Sequence, residues 1–218
     1  MKILVANLGS TSFKFRLFDM ADETLLARGG IERIGAESSP WLFDIDGNEV
    51  SGSDPMPDHA VAVRWTLEQL TDPEVGCLES ADEVAAIGFK AVHGGRFSGV
   101  QRITPEVLEA MESMNAVAPA HNPPYIAAMR LLSERLPEIP LVAAFETGFH
   151  QTIPEAWTCY GIPYAWTREL GIRRYGFHGA SHRYIAERTA ELSGRSDLRV
   201  ISCHLGGSSS LCAIHSGK

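Results

Sequence analysis

Apolar runs and alternating apolar positions predict where the strands of this chain lie. Residues 3–6 and 84–92 are apolar stretches of the kind found in buried strands. Residues 13–18 alternate apolar with polar side chains, and residues 41–50 do so around a polar centre, which predicts a strand and a hairpin. Further strands are predicted at 24–33, 141–145, 200–205 and 211–214, with the stretch 200–205 expected to be buried.

Apolar positions at helical spacing predict helices between these strands. The predicted helices span residues 59–71, 105–114, 124–136 and 180–192. Thr104 and Pro105 are typical of a helix N-cap and first helical position. The polar stretch 51–58 is predicted to be a loop, and 150–175 to be irregular. Because helices alternate with apolar strands, the pattern favours an α/β layered fold.

Composition and charge exclude several classes of protein. Of 218 residues, 44% are hydrophobic and 21% charged, which is typical of folded globular chains. The net charge of −8 comes without a basic cluster, and no apolar stretch approaches the roughly 18 residues that span a bilayer, so we expect neither nucleic acid nor membrane as a partner. The apolar N-terminal stretch is too short for a signal peptide, and four cysteines without a CxxC pair favour free thiols in the cytoplasm.

One pattern of residues occurs twice in the chain. Residues 3–18 and 201–216 each contain an apolar strand, a polar residue, Leu-Gly, a turn of small residues and a second strand. The similarity is either chance or the mark of two related halves. In the second case the chain stops two strands into its second half.

Both turns of this repeat have residues suited to phosphate. The first, residues 7–14, offers small residues, hydroxyls and Lys14, but it lacks the Walker A spacing and precedes a strand. The second, Gly206 to Ser210, follows an apolar strand and His204. Each turn alone is equally compatible with an ordinary hairpin.

Several histidines and one acid are candidates for chemistry. His93 and His178 stand beside glycine, and His121 stands two residues before Pro123; for each, a structural role is the alternative to a catalytic one. His178 and His182 have i,i+4 spacing, but no Glu or Cys completes a zinc signature. Glu146 follows an apolar strand, a usual place for active-site groups in α/β sheets.

Five sequence blocks in order resemble the acetate kinase family. The chain opens with Asn-Leu-Gly-Ser-Thr-Ser-Phe-Lys at residues 7–14, similar to the family's N-x-G-S-[ST]-S-x-K. Later matching blocks are V-H-G-G at 92–95, A-P-A-H-N-P-P at 118–124, F-H-Q-T-I-P at 149–154 and R-R-Y-G-F-H-G at 173–179, and H-L-G at 204–206 matches the family's nucleotide-phosphate loop.

This resemblance implies a fold, a reaction and partners. The fold would be α/β, related to actin and the sugar kinases (ribonuclease-H-like), and duplicated: a nearly complete first domain at residues 1–148 and an incomplete nucleotide-binding domain at 149–218. The reaction would transfer the ATP γ-phosphoryl to a short-chain carboxylate, acetate or propionate, giving acyl phosphate and ADP with Mg²⁺. The family works as a homodimer.

The resemblance also implies site residues, each matched by position. Glu146 and His178 would be catalytic, and Asn7 would lie near Mg²⁺. The substrate pocket would be formed by Lys90, Val92, Ala120 and Phe177. ATP would be held by Lys14, His204, Leu205, Gly206, Gly207 and Ser208.

The chain also departs from the family pattern. Lys90 replaces an Arg, Glu146 an Asp, Gly207 an Asn and Ala120 a Leu, and the family's chains continue well beyond position 218. The chain is therefore interpreted as the N-terminal half of a carboxylate kinase, whose other half could be a separate chain. The alternatives are a non-catalytic binding or assembly module that keeps the fold, and a histidine-based metallohydrolase.

Overall fold

The computed structural model describes residues 1–119 and 121–218, and it divides them into two compact units. The first unit is Met1–Ala144 and the second is Phe145–Lys218. The domain boundary after residue 148 stays a prediction, as does the assignment of the second domain to nucleotide binding.

An eight-stranded mixed sheet forms the framework of the first unit. Its strands, in the spatial order β5-β4-β3-β2-β1-β6-β8-β7, are β1 (Lys2–Leu8), β2 (Phe13–Asp19), β3 (Thr24–Ile31), β4 (Ser39–Ile45), β5 (Asn48–Asp54), β6 (Val84–Ala91), β7 (Val100–Arg102) and β8 (Leu141–Phe145). Strands β1 to β5 form an antiparallel meander, and β1 pairs with β6 in parallel. Since helices also belong to this unit, the predicted α/β class is confirmed.

Three helices accompany the sheet of the first unit. They are α1 (His59–Leu70), α2 (Pro105–Glu112) and α3 (Asn122–Arg135). The Asp58 carboxylate caps α1 by accepting from the Val61 N–H at 2.8 Å, and Thr104 caps α2 as its sequence predicted. Helices α1 and α3 contact each other and pack on β2 and β1 respectively. The strands and helices of this unit enclose an apolar core. Its fully buried side chains include Leu4, Phe13, Leu17, Ile87, Met129 and Leu132.

The second unit is smaller and has little sheet. After a 3₁₀ turn at Gly148–Thr152 come α4 (Glu155–Thr158), α5 (Tyr164–Leu170) and α6 (Gly179–Ser193), then the hairpin β9 (Arg199–His204) and β10 (Ser210–His215). Its buried hydrophobic side chains are Phe145, Ala186 and Ile214. Large apolar side chains that stay exposed in this unit include Trp157, Trp166, Leu170, Leu192, Ile201 and Leu211.

Three sequence expectations about local structure are wrong. Residues 51–54 are strand, because β5 pairs with β4 as an edge strand whose side chains are mostly exposed and so can be polar. Residues 150–175 contain the short helices α4 and α5, both begun by a proline at the N-cap. The strand predicted to be buried at 200–205 has Ile201 and Leu205 about three-quarters exposed, because β9 pairs only with β10 among the described residues.

Both copies of the repeated sequence form antiparallel hairpins. In the first hairpin Leu8 pairs with Phe13, and in the second His204 pairs with Ser210. The second turn is therefore one residue longer, so the two hairpins share a form but not a register.

Candidate active site

Four predicted site residues of the first unit gather at one end of its sheet. Strands β1 and β6 run in parallel, with Ala6 opposite Phe89, so their carboxyl ends lie at the same edge. Asn7 is near the end of β1 and pairs with Lys14 at the start of β2. Lys90 is near the end of β6, and Val92 follows its last residue. The topology thus brings two cations and one amide to this edge.

The first turn is held by two helices. The Tyr125 hydroxyl on α3 donates to the Asn7 Oδ1 atom at 2.8 Å, and the His59 Nε2–H at the start of α1 donates to the Gly9 carbonyl at 2.9 Å. Across the turn, the Gly9 N–H donates to the Ser12 carbonyl at 2.8 Å. The exposed Lys14 ammonium lies 3.6 Å from a Glu32 carboxylate oxygen. The sequence did not reveal Tyr125 and His59 as supports, because both are distant from the turn along the chain.

A buried asparagine anchors the loop that follows β6. The Asn122 side-chain N–H groups donate to the His93 and Met111 carbonyls at 2.9 and 2.8 Å. His93 is buried, and burial lowers the pKa of its imidazole. Its Nδ1 accepts from the Gly95 N–H at 3.0 Å. These contacts fix the backbone beside Val92, whereas the predicted pocket residue Ala120 lies outside the described residues.

Close backbone contacts bring Glu146, Phe177 and His178 together in the second unit. The Gly179 N–H donates to the Glu146 carbonyl at 3.0 Å, and a Cβ on Gly179 would lie 2.2 Å from that oxygen. Gly176 has φ +79°, and a Cβ there would lie 2.4 Å from the His150 ring. His150 is buried and its Nε2–H donates to the Phe177 carbonyl at 2.9 Å. Only glycine fits at these two positions, which explains the Gly-x-x-Gly spacing of the block.

His178 has an unusual backbone and two ring contacts. It caps α6 with φ +55° and ψ 30°, a left-handed conformation that residues other than glycine rarely adopt. Its ring stacks on the His204 ring, with centroids 4.0 Å apart and planes at 22°. Its Nδ1 atom lies 2.8 Å from the Ser210 Oγ atom, and the His204 Nδ1 atom lies 3.0 Å from Ser181 Oγ. The structure therefore places two predicted site histidines face to face.

Behind His178 lies a buried histidine that sequence reasoning did not assign to the site. The His182 ring is fully buried, with its Nε2 2.8 Å from Ser210 Oγ and its Nδ1 2.9 Å from Ser202 Oγ. Burial first, and then the neighbouring histidines, lower the pKa of His182. Two signals could have found this cluster: the i,i+4 spacing of His178 and His182, and the alternation that places Ser202 and His204 on one face of a strand.

The i,i+4 histidine pair therefore has a structural explanation other than a metal. Both rings bond to the same Ser210 hydroxyl. Across residues 1–119 and 121–218, no group of three or more His, Cys, Asp or Glu side chains could hold a metal ion. No helix in these same ranges is long and apolar enough to cross a membrane.

The second turn presents an open backbone. Leu205, Gly206, Gly207 and Ser208 are exposed, and the Gly206 N–H and the Ser209 hydroxyl are within 3.4 Å. A Cβ on Gly207 would meet no atom within 4 Å. The asparagine that the acetate kinase pattern has at this position would therefore have open space around its Cβ atom. The turn and His204 belong to the second unit, together with Glu146, Phe177 and His178.

Comparisons with known proteins agree on one family. The Acetokinase family model matches residues 2–218. The curated acetate kinase of Carboxydothermus hydrogenoformans is 46% identical and that of Bacillus subtilis 45%; both alignments cover 100% of this chain, with 56% and 55% of the relatives. Among solved structures, an acetate kinase of Porphyromonas gingivalis matches with a TM-score of 0.86 and 40% identity, and a propionate kinase from Francisella tularensis with a TM-score of 0.87 and 33% identity. Both matches cover 100% of this chain and 55% of the solved chain. The chain thus spans about half the length of these relatives, and it belongs to the acetokinase family.

Proposed function

We propose that this chain forms the N-terminal half of a kinase that transfers the γ-phosphoryl group of ATP to a short-chain carboxylate, acetate or propionate. The products are an acyl phosphate and ADP. The observation that carries the proposal is the family match over residues 2–218, supported by relatives whose names are acetate kinase and propionate kinase. Both sets of polar residues described above support it as well.

The chemistry asks for positioning and charge rather than for a base. A carboxylic acid with a pKa near about 4–5 is already ionised at neutral pH, so the nucleophile needs no deprotonation. The obstacle is repulsion between two anions that must meet. Cations and neutral N–H donors around the phosphoryl oxygens reduce that repulsion. Lys14 and Lys90 in the first unit, and His178 and His204 in the second, supply groups of these two kinds.

Each unit contributes a different part of this proposal. In the first, Lys90 attracts the substrate carboxylate, Val92 lines its pocket and Lys14 binds ATP. In the second, His178 donates to the transferring phosphoryl group and Glu146 lies beside it. The remaining roles are those of Phe177 in the substrate pocket and of His204, Leu205, Gly206, Gly207 and Ser208 around the ATP phosphates.

The side-chain oxygen of Asn7 is a suitable ligand for a magnesium ion. An amide oxygen is a hard ligand that Mg²⁺ accepts, and an oxygen with two lone pairs can accept from Tyr125 while binding a cation. Mg²⁺ usually keeps several waters and substrate phosphates, so one or two protein ligands are enough. When bound, the ion supplies charge that neutralises the phosphate oxygens. Tyr125 orients the Asn7 amide for that contact.

Lys90 and Ala120 bear on which acid is used. Lysine keeps the positive charge of the family's arginine but cannot make its two-pronged contact with a carboxylate, so we expect weaker orientation of the acid. Ala120 stands where the family usually has leucine, so we expect a larger pocket. We expect propionate to be used at least as well as acetate, since one methylene in an apolar pocket contributes about 1–3 kcal/mol. Comparing kcat/KM for the two acids tests this, and a clear preference for acetate contradicts it.

The experiment that tests the function traps the acyl phosphate. The purified chain is incubated with ATP, Mg²⁺, acetate and hydroxylamine, alone and with the separately expressed C-terminal part of the Carboxydothermus hydrogenoformans relative. We expect hydroxamate at least in the mixture. No product in either reaction contradicts the proposal.

Two substitutions at His178 separate its chemistry from its backbone. Asparagine tolerates the left-handed conformation that His178 adopts, whereas alanine does not. If the ring donates to the phosphoryl group, both His178→Asn and His178→Ala lower kcat about 100-fold with little change in KM. Activity retained by His178→Asn and lost only by His178→Ala indicates a purely structural role.

The alternative is a non-catalytic binding or assembly module that keeps the fold. The observation that favours it is the exposed apolar surface of the second unit, which includes Trp157, Leu170 and Leu211. Under this alternative ATP binds the chain or a partner assembles with it, but the hydroxamate assay stays negative. Equilibrium binding of ATP to the chain, measured by calorimetry beside the assay, distinguishes the two.

A further inference from the structure

Two histidines of the second unit share one serine hydroxyl. Ser210 Oγ lies 2.8 Å from His178 Nδ1 and 2.8 Å from His182 Nε2. On the other side of its ring, His182 Nδ1 lies 2.9 Å from Ser202 Oγ. The four side chains thus form a line, His178–Ser210–His182–Ser202. A hydroxyl has one proton, so a serine between two rings donates to one and accepts from the other.

Burial at the end of this line decides the direction of its hydrogen bonds. Ser202 and His182 are both buried. Throughout the described part of the chain, the Ser202 hydroxyl has no hydrogen-bond partner other than His182. If the His182 Nδ1 carried a proton and donated to Ser202, the Ser202 proton would be buried without an acceptor, which is costly. Ser202 therefore donates to His182 Nδ1.

The position of the Ser202 proton determines where the other protons of the line lie. Burial lowers the pKa of His182, so its ring is neutral near pH 7 and carries its single proton on Nε2. That Nε2–H donates to Ser210. The Ser210 proton is then available for His178 Nδ1, which accepts it. A neutral His178 ring with Nδ1 as an acceptor carries its own proton on Nε2.

We propose that Ser210, His182 and Ser202 are positioning residues that hold His178 as its neutral Nε2–H tautomer. The functional consequence rests on the proposed kinase activity. In that reaction Nε2–H is the donor to the transferring phosphoryl group, whereas a bare Nε2 would present a lone pair to anionic oxygens. The left-handed backbone of His178 and the stacking of its ring on His204 hold that ring in one orientation.

Nitrogen-15 NMR of the imidazole rings tests the tautomer directly, because a protonated ring nitrogen and a bare one resonate far apart. The full 218-residue chain is measured near pH 7.5 without nucleotide, with each histidine assigned by substitution. We expect His178 and His182 both to carry the proton on Nε2. Replacing Ser210 with alanine turns His178 into a mixture of tautomers, and Ser210→Thr, which keeps the hydroxyl, preserves the single form. The matched control is Ser181→Ala, which removes a hydroxyl from His204 and leaves the His178 tautomer unchanged.

A His178 ring protonated on Nδ1 in the unaltered chain overturns the proposal, as does a His178 tautomer that Ser210→Ala leaves unchanged. The first measurement does not depend on Ser210→Ala, so it decides the matter even if that variant does not fold. Because no nucleotide is present, the result is independent of phosphoryl transfer. If the Nε2–H tautomer of His178 is found and the hydroxamate assay is negative, the positioning role of Ser210, His182 and Ser202 still stands. Where hydroxamate forms, Ser210→Ala lowers kcat at least about tenfold while KM changes little, and Ser210→Thr restores it. An equal kcat for Ser210→Ala and the unaltered chain overturns the functional consequence.

Discussion

The first unit buries mainly hydrocarbon, whereas in the second unit buried polar side chains outnumber buried apolar ones. Between its strands and helices the first unit encloses side chains such as Leu4, Leu17 and Ile87 without exposure. The second unit buries Glu146, Thr147, His150, Thr158, His182 and Ser202. Its apolar side chains are in large part on the surface, as Leu211 and Trp157 illustrate.

This difference indicates two sources of stability in one chain. Apolar burial contributes in proportion to the area removed from water, so the first unit gains from each large side chain in its core. The second unit depends on satisfied hydrogen bonds and on close approaches of the backbone, such as that of Gly179 to Glu146.

A matched pair of leucines should show the contrast most strongly. Leu17 on β2 is fully buried, and Leu211 on β10 is 72% exposed. Leu17→Ala removes core hydrocarbon and leaves a cavity, which should lower the free energy of unfolding by about 3–5 kcal/mol. Leu211→Ala should change it by less than about 0.5 kcal/mol. Urea denaturation of both variants measures this, and equal losses would remove the basis of the comparison.

A matched pair of glycines tests the backbone contacts of the second unit. A Cβ on Gly179 would lie 2.2 Å from the Glu146 carbonyl oxygen, whereas one on Gly161 meets nothing within 4 Å. Gly179→Ala should lower the free energy of unfolding by about 1–3 kcal/mol, because backbone must move to admit the methyl group. Gly161→Ala should be neutral within about 0.5 kcal/mol. Two equally mild variants in thermal unfolding would contradict the importance of that contact.

Acidification should weaken both units through His93 in the first and His182 in the second. Burial lowers the pKa of His93 in the first unit and of His182 in the second. Below about pH 6.5 each of these histidines binds a proton in the unfolded chain more readily than in the folded chain. The free energy of unfolding therefore falls as pH falls. The slope is at most about 1.4 kcal/mol per pH unit for each histidine, and the stability is fully present above pH 6.5.

Three glutamine substitutions assign this pH dependence. His93→Gln and His182→Gln should each flatten the decline between pH 7.5 and 5.5 in urea titrations. His215→Gln changes an exposed ring and serves as the control. A pH dependence that survives both buried substitutions would trace to other groups.

The framework was predictable from sequence because its signals are local. Alternation in residues 13–18 and the Thr104-Pro105 start of α2 reflect side-chain and backbone preferences that act over a few residues. The strand at 51–54 was missed because an edge strand needs few apolar residues. The apolar run at 200–205 by itself predicted a buried strand, although Ile201 is exposed, because an apolar run does not encode what covers it.

The candidate site was predictable in its residue types but not in its connections. Sequence blocks named His178 and His204, and no local pattern reveals that their rings stack 4.0 Å apart. Ser210 reaches two histidines that lie 28 and 32 positions away along the chain. Such contacts depend on how α6 packs against β9, which is tertiary information. The local signs of this cluster were the i,i+4 spacing of His178 and His182 and the placement of Ser202 and His204 on one face of a strand.

The tryptophans of this chain divide evenly between the two units, which gives each unit its own optical signal. Trp41 and Trp65 lie 6.1 Å apart, between ring centroids, and are partly shielded in the first unit, whereas Trp157 and Trp166 are 69% and 48% exposed in the second. Fluorescence emission should therefore consist of a blue-shifted component and a red-shifted one, and acrylamide should quench the second preferentially. Replacing Trp157 and Trp166 with phenylalanine leaves a chain whose tryptophan fluorescence reports on the first unit alone. The unfolding of the two units can then be followed separately.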